Sequence, residues 1–146
     1  MIVHLKKTDA RAKIPERATS GSAGFDLFAL LDKELMVYPH QPVKIHTGIA
    51  LSMPDNQMVG LVYPSSGLAS KFGLIPSNCV GVIDSDYRGE IMVSLTNLSQ
   101  TAYCLKPFER IAQLVFAPVI LPELSETDNL DDTDRGTGGF GSTGQQ

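Results

Sequence analysis

Short apolar runs, each closed by proline, glycine, serine or an Asx residue within roughly ten positions, constrain the fold of this chain more than any other feature. Runs at 25–30, 33–37, 43–47, 49–53, 59–63, 91–97 and 110–119 have the composition of strands. Pro39, Pro42, Pro54, Pro64, Pro76, Pro107 and Pro118 fall mostly at their edges, where a missing N–H does least harm. Many short strands at regular spacing predict an all-β antiparallel sandwich or barrel. Only 66–73 reads as a helix, with Ser66 at its start and Gly73 at its stop.

The segment 81–90 departs from ordinary turn chemistry. Asp84 and Asp86 stand two residues apart, Tyr87 and Arg88 follow at once, and Gly81 and Gly89 bracket the group. With Val82 and Ile83 entering and the alternating run from Ile91 leaving, it reads as a bent β-hairpin. Polarity alone is what exposure dictates in a turn. Tyr87 makes the segment a functional candidate, because a large ring stands where packing does not ask for one.

Composition shifts near Leu121, dividing the chain into a β domain over 1–120 and an arm over 121–146. The first half of the arm is acidic, from Glu123 to Asp134, and the second holds five glycines. Such a segment cannot bury enough apolar surface to fold alone. Gly136, Gly138 and Gly141 satisfy the spacing of a dinucleotide-binding loop, but no strand precedes them and no helix can follow before Gln146. A flexible tail is the plain reading. Arg135 and Phe140 weigh against it by adding a phosphate-grade cation and a stacking ring.

A net charge of −4 argues against a broad grip on nucleic-acid phosphates. Neither a secretory signal nor a membrane-spanning run is evident, so a cytoplasmic protein without membrane contact is expected. Cys79 and Cys104 read as reduced structural thiols. His4, His40 and His46 lack ligand-like spacing and receive no role.

Taken together, five segments resemble the five ordered motifs of the homotrimeric dUTPase family: Ser22 to Leu27, Pro64 to Ala69, Asn78 to Gly89, Arg110 to Leu114, and Arg135 to Gly144. The resemblance implies a jelly-roll-like subunit, a homotrimer with shared active sites, and Mg²⁺-dependent hydrolysis of dUTP to dUMP and pyrophosphate. Water would attack the α-phosphate, limiting uracil incorporation into DNA and supplying dUMP. By resemblance Asp84 is the base that holds this water and Gln113 helps to place it. Asn78, with the backbone of Cys79 and Ile83, reads uracil, and Tyr87 packs against the deoxyribose. Ser66, Gly67, Arg110 and Arg135 match phosphate contacts, while Phe140, Gly141, Ser142 and Thr143 belong to an arm that closes over a neighbouring copy's site. Asp26 reaches Mg²⁺ through water, the ion being gripped chiefly by the triphosphate. Ser65 departs from the pattern, since the family usually has Arg there.

These roles agree with what the reaction needs: a positioned water, a proton acceptor, and cations or N–H dipoles at the phosphate oxygens. Two other readings remain. A dCTP deaminase on a related fold would release ammonia, but that family lacks the glycine-rich arm. A non-catalytic β-sandwich binding module would release neither pyrophosphate nor ammonia, and Ser65 alone encourages it.

Overall fold

Alternation decides which residues of each strand enter the core. In Met92–Asn97 the buried positions are Val93, Leu95 and Asn97, and in Met58–Pro64 they are Met58, Gly60 and Val62. The structure is a computed structural model that describes residues 1–139. In chain order its elements are β1 His4–Lys7, β2 Phe25–Phe28, β3 Leu35–Val37, β4 Val43–His46, β5 Ile49–Ser52, β6 Met58–Pro64, α1 Ser66–Phe72, β7 Leu74–Pro76, β8 Gly81–Ile83, β9 Met92–Asn97, β10 Tyr103–Leu105 and β11 Arg110–Pro118.

The expected all-β fold with one short helix is what forms. Its larger sheets run β2-β11-β6-β8 and β4-β9-β7, and two ribbons, β1-β5 and β10-β3, flank them. Every pairing between these strands is antiparallel. Leu27, Val62, Ile111 and Leu114 from the first sheet share one cluster with Ile45, Leu74, Val93 and Leu95 from the second. Two sheets closing on one apolar layer make a sandwich.

Asn97 is fully buried at the end of β9. Its amide donates to the carbonyls of Val37 at 2.9 Å and Thr101 at 2.8 Å, and its Oδ1 accepts the Ser99 N–H at 2.9 Å. The residue thereby ties β3, β9 and the following turn together. Asn97→Ala leaves these three groups without their partner, so a loss on the order of 2–4 kcal/mol is expected, read as a lower urea midpoint.

One expectation fails. The segment 81–90 is not the turn of a hairpin, because β8 pairs with β6 whereas β9 pairs with β4 and β7. The chain crosses here from one sheet to the other. Its exit is fixed by the turn after β4: the Ile91 N–H donates to the Ile49 carbonyl at 2.8 Å, and the Thr47 hydroxyl donates to the Ile91 carbonyl. Strands β1, β7 and β10 were not anticipated, and at three or four residues they are too short to show a period. Residues 119–139 contain no strand or helix, and Ile120, Leu121, Leu124 and Leu130 stand exposed.

Candidate active site

Three of the five motif segments meet on the sheet β2-β11-β6. Gln113 of β11 lies opposite Asp26 of β2 and opposite Tyr63 of β6. Facing residues of an antiparallel pair project to the same side, so Gln113 and Asp26 share a face. A register shift between Arg110 and Ala112 brings Arg110 to that side as well. Its Nη1 donates to Asp26 Oδ2 at 3.2 Å. The Gln113 amide donates to the Pro64 carbonyl at 3.2 Å, two residues before α1 begins at Ser66. Gly24 makes room for this cluster, since a Cβ there would lie 2.8 Å from Gln113 Oε1.

The residue before Arg110 is held within its own turn. The Glu109 carboxylate accepts the Tyr103 hydroxyl and, at 3.0 Å, the Lys106 N–H. Burial first, and then the bond to Glu109, push the Tyr103 phenol up to about 12, so it remains a donor near neutrality. Sequence reading missed this support. Nothing in the local pattern around Tyr103 signals it.

Ser65 occupies the N-cap position of α1 in extended backbone, and its side chain makes no capping bond. Ser66 and Gly67 are exposed in the first turn. Asp26 and Arg110 line one cavity with Lys13, Glu16, Arg17 and Glu109, so the charge gathered beside them is of both signs. Among the described residues no three His, Cys, Asp or Glu side chains converge to hold a metal ion.

The second group lies around β8. Ile83, Asp84 and Tyr87 line a cavity of about 240 Å³ together with Glu90, Ile91 and Met92. Asp84 is exposed, and among the described residues no hydrogen bond reaches its carboxylate. The turn closes through the Tyr87 N–H on the Asp84 carbonyl at 3.1 Å. Tyr87 folds back so that its hydroxyl donates to the Glu90 carbonyl at 3.0 Å, with the ring lying over Gly89. A Cβ on residue 89 would come within 2.6 Å of the phenol Cζ, so this ring position requires glycine. Asn78 and Cys79 are exposed at the turn before β8, where Cys79 takes a positive φ of 64°. A left-handed non-glycine residue marks a backbone held by its surroundings.

The two groups do not meet within one chain. Ile83 pairs with Gly60 and Gln113 with Tyr63, so Asp84 and Gln113 lie about four residues apart along β6 and two strands apart across it. Strand geometry converts that offset to roughly 16 Å. Arg135 bonds the Gly138 carbonyl at 2.9 Å within its own turn. Phe140, Gly141, Ser142 and Thr143 lie outside the described residues.

A protein-family model described as dUTPase matches residues 10–144, nearly the whole chain. The chain belongs to the dUTPase family. A deoxyuridine 5'-triphosphate nucleotidohydrolase of Desulfitobacterium hafniense is 51% identical, over 98% of this chain and 94% of that one. One from Burkholderia cenocepacia is 46% identical over 99% of both. Among solved structures, the dUTPase of Staphylococcus bacteriophage 80alpha with dUPNHPP superposes with a TM-score of 0.82 at 27% identity, over 99% of both chains. The dUTPase fold therefore accounts for the sandwich and the order of the motif segments. No described helix of this dUTPase is long and apolar enough to cross a membrane.

Proposed function

We propose that Asp84 holds and deprotonates the attacking water in this chain, which as a member of its family hydrolyses dUTP to dUMP and pyrophosphate. The observation that carries this reading is the shared cavity of Ile83, Asp84 and Tyr87, which sets a free carboxylate beside a ring and an apolar wall. An exposed carboxylate without a protein partner can take its hydrogen bond from water. Attack on the α-phosphate would release pyrophosphate. Gln113, held through Pro64 and facing Asp26, supplies an amide to orient the water from the opposite side. Arg110 is the cation for the phosphates, with Ser66, Gly67 and Arg135 as further contacts.

Completing such a site requires Asp84 of one copy and Gln113 of another. The offset along β6 supports a homotrimer with shared active sites, because no single chain gathers both groups. Phe140, Gly141, Ser142 and Thr143 are proposed to close over the site of a neighbouring copy.

Mg²⁺ suits the donor set as a substrate-borne ion. This cation takes one or two carboxylates, several waters and phosphate oxygens in preference to an all-protein cage. Asp26, half-buried and already paired with Arg110, is the carboxylate that would face it through water. When bound, Mg²⁺ neutralises charge on the triphosphate.

Base and sugar selection fall to the turns around β8. Asn78 offers both a carbonyl and an amide, and the backbones of Cys79 and Ile83 add donors and acceptors for uracil. Tyr87 packs against the deoxyribose and leaves no space for a 2′-hydroxyl. Tyr87→Ala should therefore raise kcat/KM for UTP relative to dUTP, within the ~10²-fold that an apolar wall can exclude an added hydroxyl. An unchanged ratio would remove Tyr87 from sugar selection. Incubation with dUTP and, separately, with dCTP, each with Mg²⁺, tests the reaction itself: pyrophosphate from dUTP supports it, and ammonia from dCTP with no pyrophosphate from dUTP overturns it.

A further inference from the structure

We propose that Glu90 is the positioning residue that fixes the Tyr87 ring and thereby sets how strongly the enzyme rejects a ribonucleotide. The proposal rests on the role given to Tyr87 above. The Glu90 carboxylate bridges two loops that are distant in sequence. Oε1 accepts the Gly48 N–H at 2.7 Å, and Oε2 lies 2.9 Å from His46 Nδ1, His46 being the last residue of β4 and Gly48 lying in the β4–β5 connection. Through its backbone carbonyl, the same residue accepts the Tyr87 hydroxyl at 3.0 Å. The phenol is thus tied to a residue held by its side chain as well as by the Ile91 N–H of the same peptide, which donates to the Ile49 carbonyl at 2.8 Å.

Apart from the Ile91 bonds to Ile49 and Thr47 at its exit, the other restraints on this turn are internal. Arg88 Nη1 donates to the Ser85 carbonyl at 2.7 Å and the Tyr87 carbonyl at 3.1 Å, and the Tyr87 N–H closes on Asp84. These contacts preserve the shape of the turn but bind it to nothing outside. Among the described residues, Glu90 alone carries side-chain hydrogen bonds from 84–90 to the rest of the chain. Its side chain is 21% exposed, so a carboxylate accepting two donors there is well placed to act as an anchor.

Rejection of a 2′-hydroxyl by contact needs a wall that stays in place. A ring free to shift by about an ångström yields the space that one oxygen requires. Discrimination by an apolar wall is only ~10²-fold at best, so little slack is needed to erase most of it. Glu90 lines the same cavity as Asp84 and Tyr87, which places the anchor and the wall it serves side by side.

The test is the ratio of kcat/KM for UTP to that for dUTP, measured on the full chain with Mg²⁺, with thermal midpoints recorded for each variant. Glu90→Ala is expected to raise the ratio about tenfold, inside the limit for hydroxyl exclusion. Glu90→Gln should stay within about twofold of the parent, because its amide keeps an acceptor for Gly48 and a donor for His46. His46→Ala removes a largely exposed ring, leaves the Gly48 bond intact, and should raise the ratio by less than Glu90→Ala. It carries the test if Glu90→Ala does not fold. Tyr87→Ala is the control. A ratio raised by Tyr87→Ala but unchanged in the Glu90 and His46 alanine variants would overturn the anchor and leave the Tyr87 role standing. Equal losses on both nucleotides would overturn it too, since a general structural defect leaves the ratio where it was. A ratio unmoved by Tyr87→Ala would defeat the sugar-wall role and the anchor with it.

Discussion

Asp84→Asn is expected to lower pyrophosphate release by about 10²–10⁴-fold, the usual contribution of a positioned base, while binding of a non-hydrolysable dUTP analogue persists. The substitution suits the question. The Asp84 carboxylate is exposed and has no hydrogen-bond partner among the described residues, so an amide of the same shape disturbs no contact of the fold. The turn is closed by its backbone and by Arg88, and neither depends on the side chain of residue 84. An unchanged thermal midpoint with lost turnover would isolate chemistry from folding. Paired measurements of pyrophosphate and calorimetric affinity decide it. Turnover within a few-fold of the parent would remove Asp84 from the base role.

The two halves of the candidate site differed in how far the sequence revealed them. Strands β6 and β9 were legible because their alternation is long enough to show a period, and their buried positions follow it, whereas β11 buries the adjacent Ile111 and Ala112 at its register shift. The meeting of Asp26, Arg110 and Gln113 was not legible. It depends on the register of β2 against β11 and on a one-residue shift beside Arg110, which turn chemistry does not encode locally. The segment 81–90 shows the opposite case. Its residues announced a turn, but the expected hairpin partner was wrong because Ile91 is captured by Ile49 and Thr47, more than forty positions earlier in the chain. Glu90 was overlooked for the same reason. Its partners, His46 and Gly48, lie 44 and 42 residues away, and a histidine without ligand spacing gives no warning of such a contact.

Mixing two inactive variants should restore activity. Asp84→Asn and Gln113→Ala each disable one half of the proposed site, and the offset along β6 keeps those halves apart within a chain. In a closed homo-oligomer, each site then draws its base from one copy and its water-orienting amide from another. Random assembly of equal amounts gives a site with both native groups in about a quarter of cases, because each of the two contributing copies is the suitable variant half the time. Co-refolding the variants should therefore recover about a quarter of parental pyrophosphate release, far above either variant alone. The unmixed variants refolded in parallel supply the baseline. If both groups served one site from the same chain, every site would lack one of them and mixing would recover nothing. Recovery that appears only after subunit exchange, and not when the folded variants are briefly combined, would separate a shared site from an effect of the mixture itself.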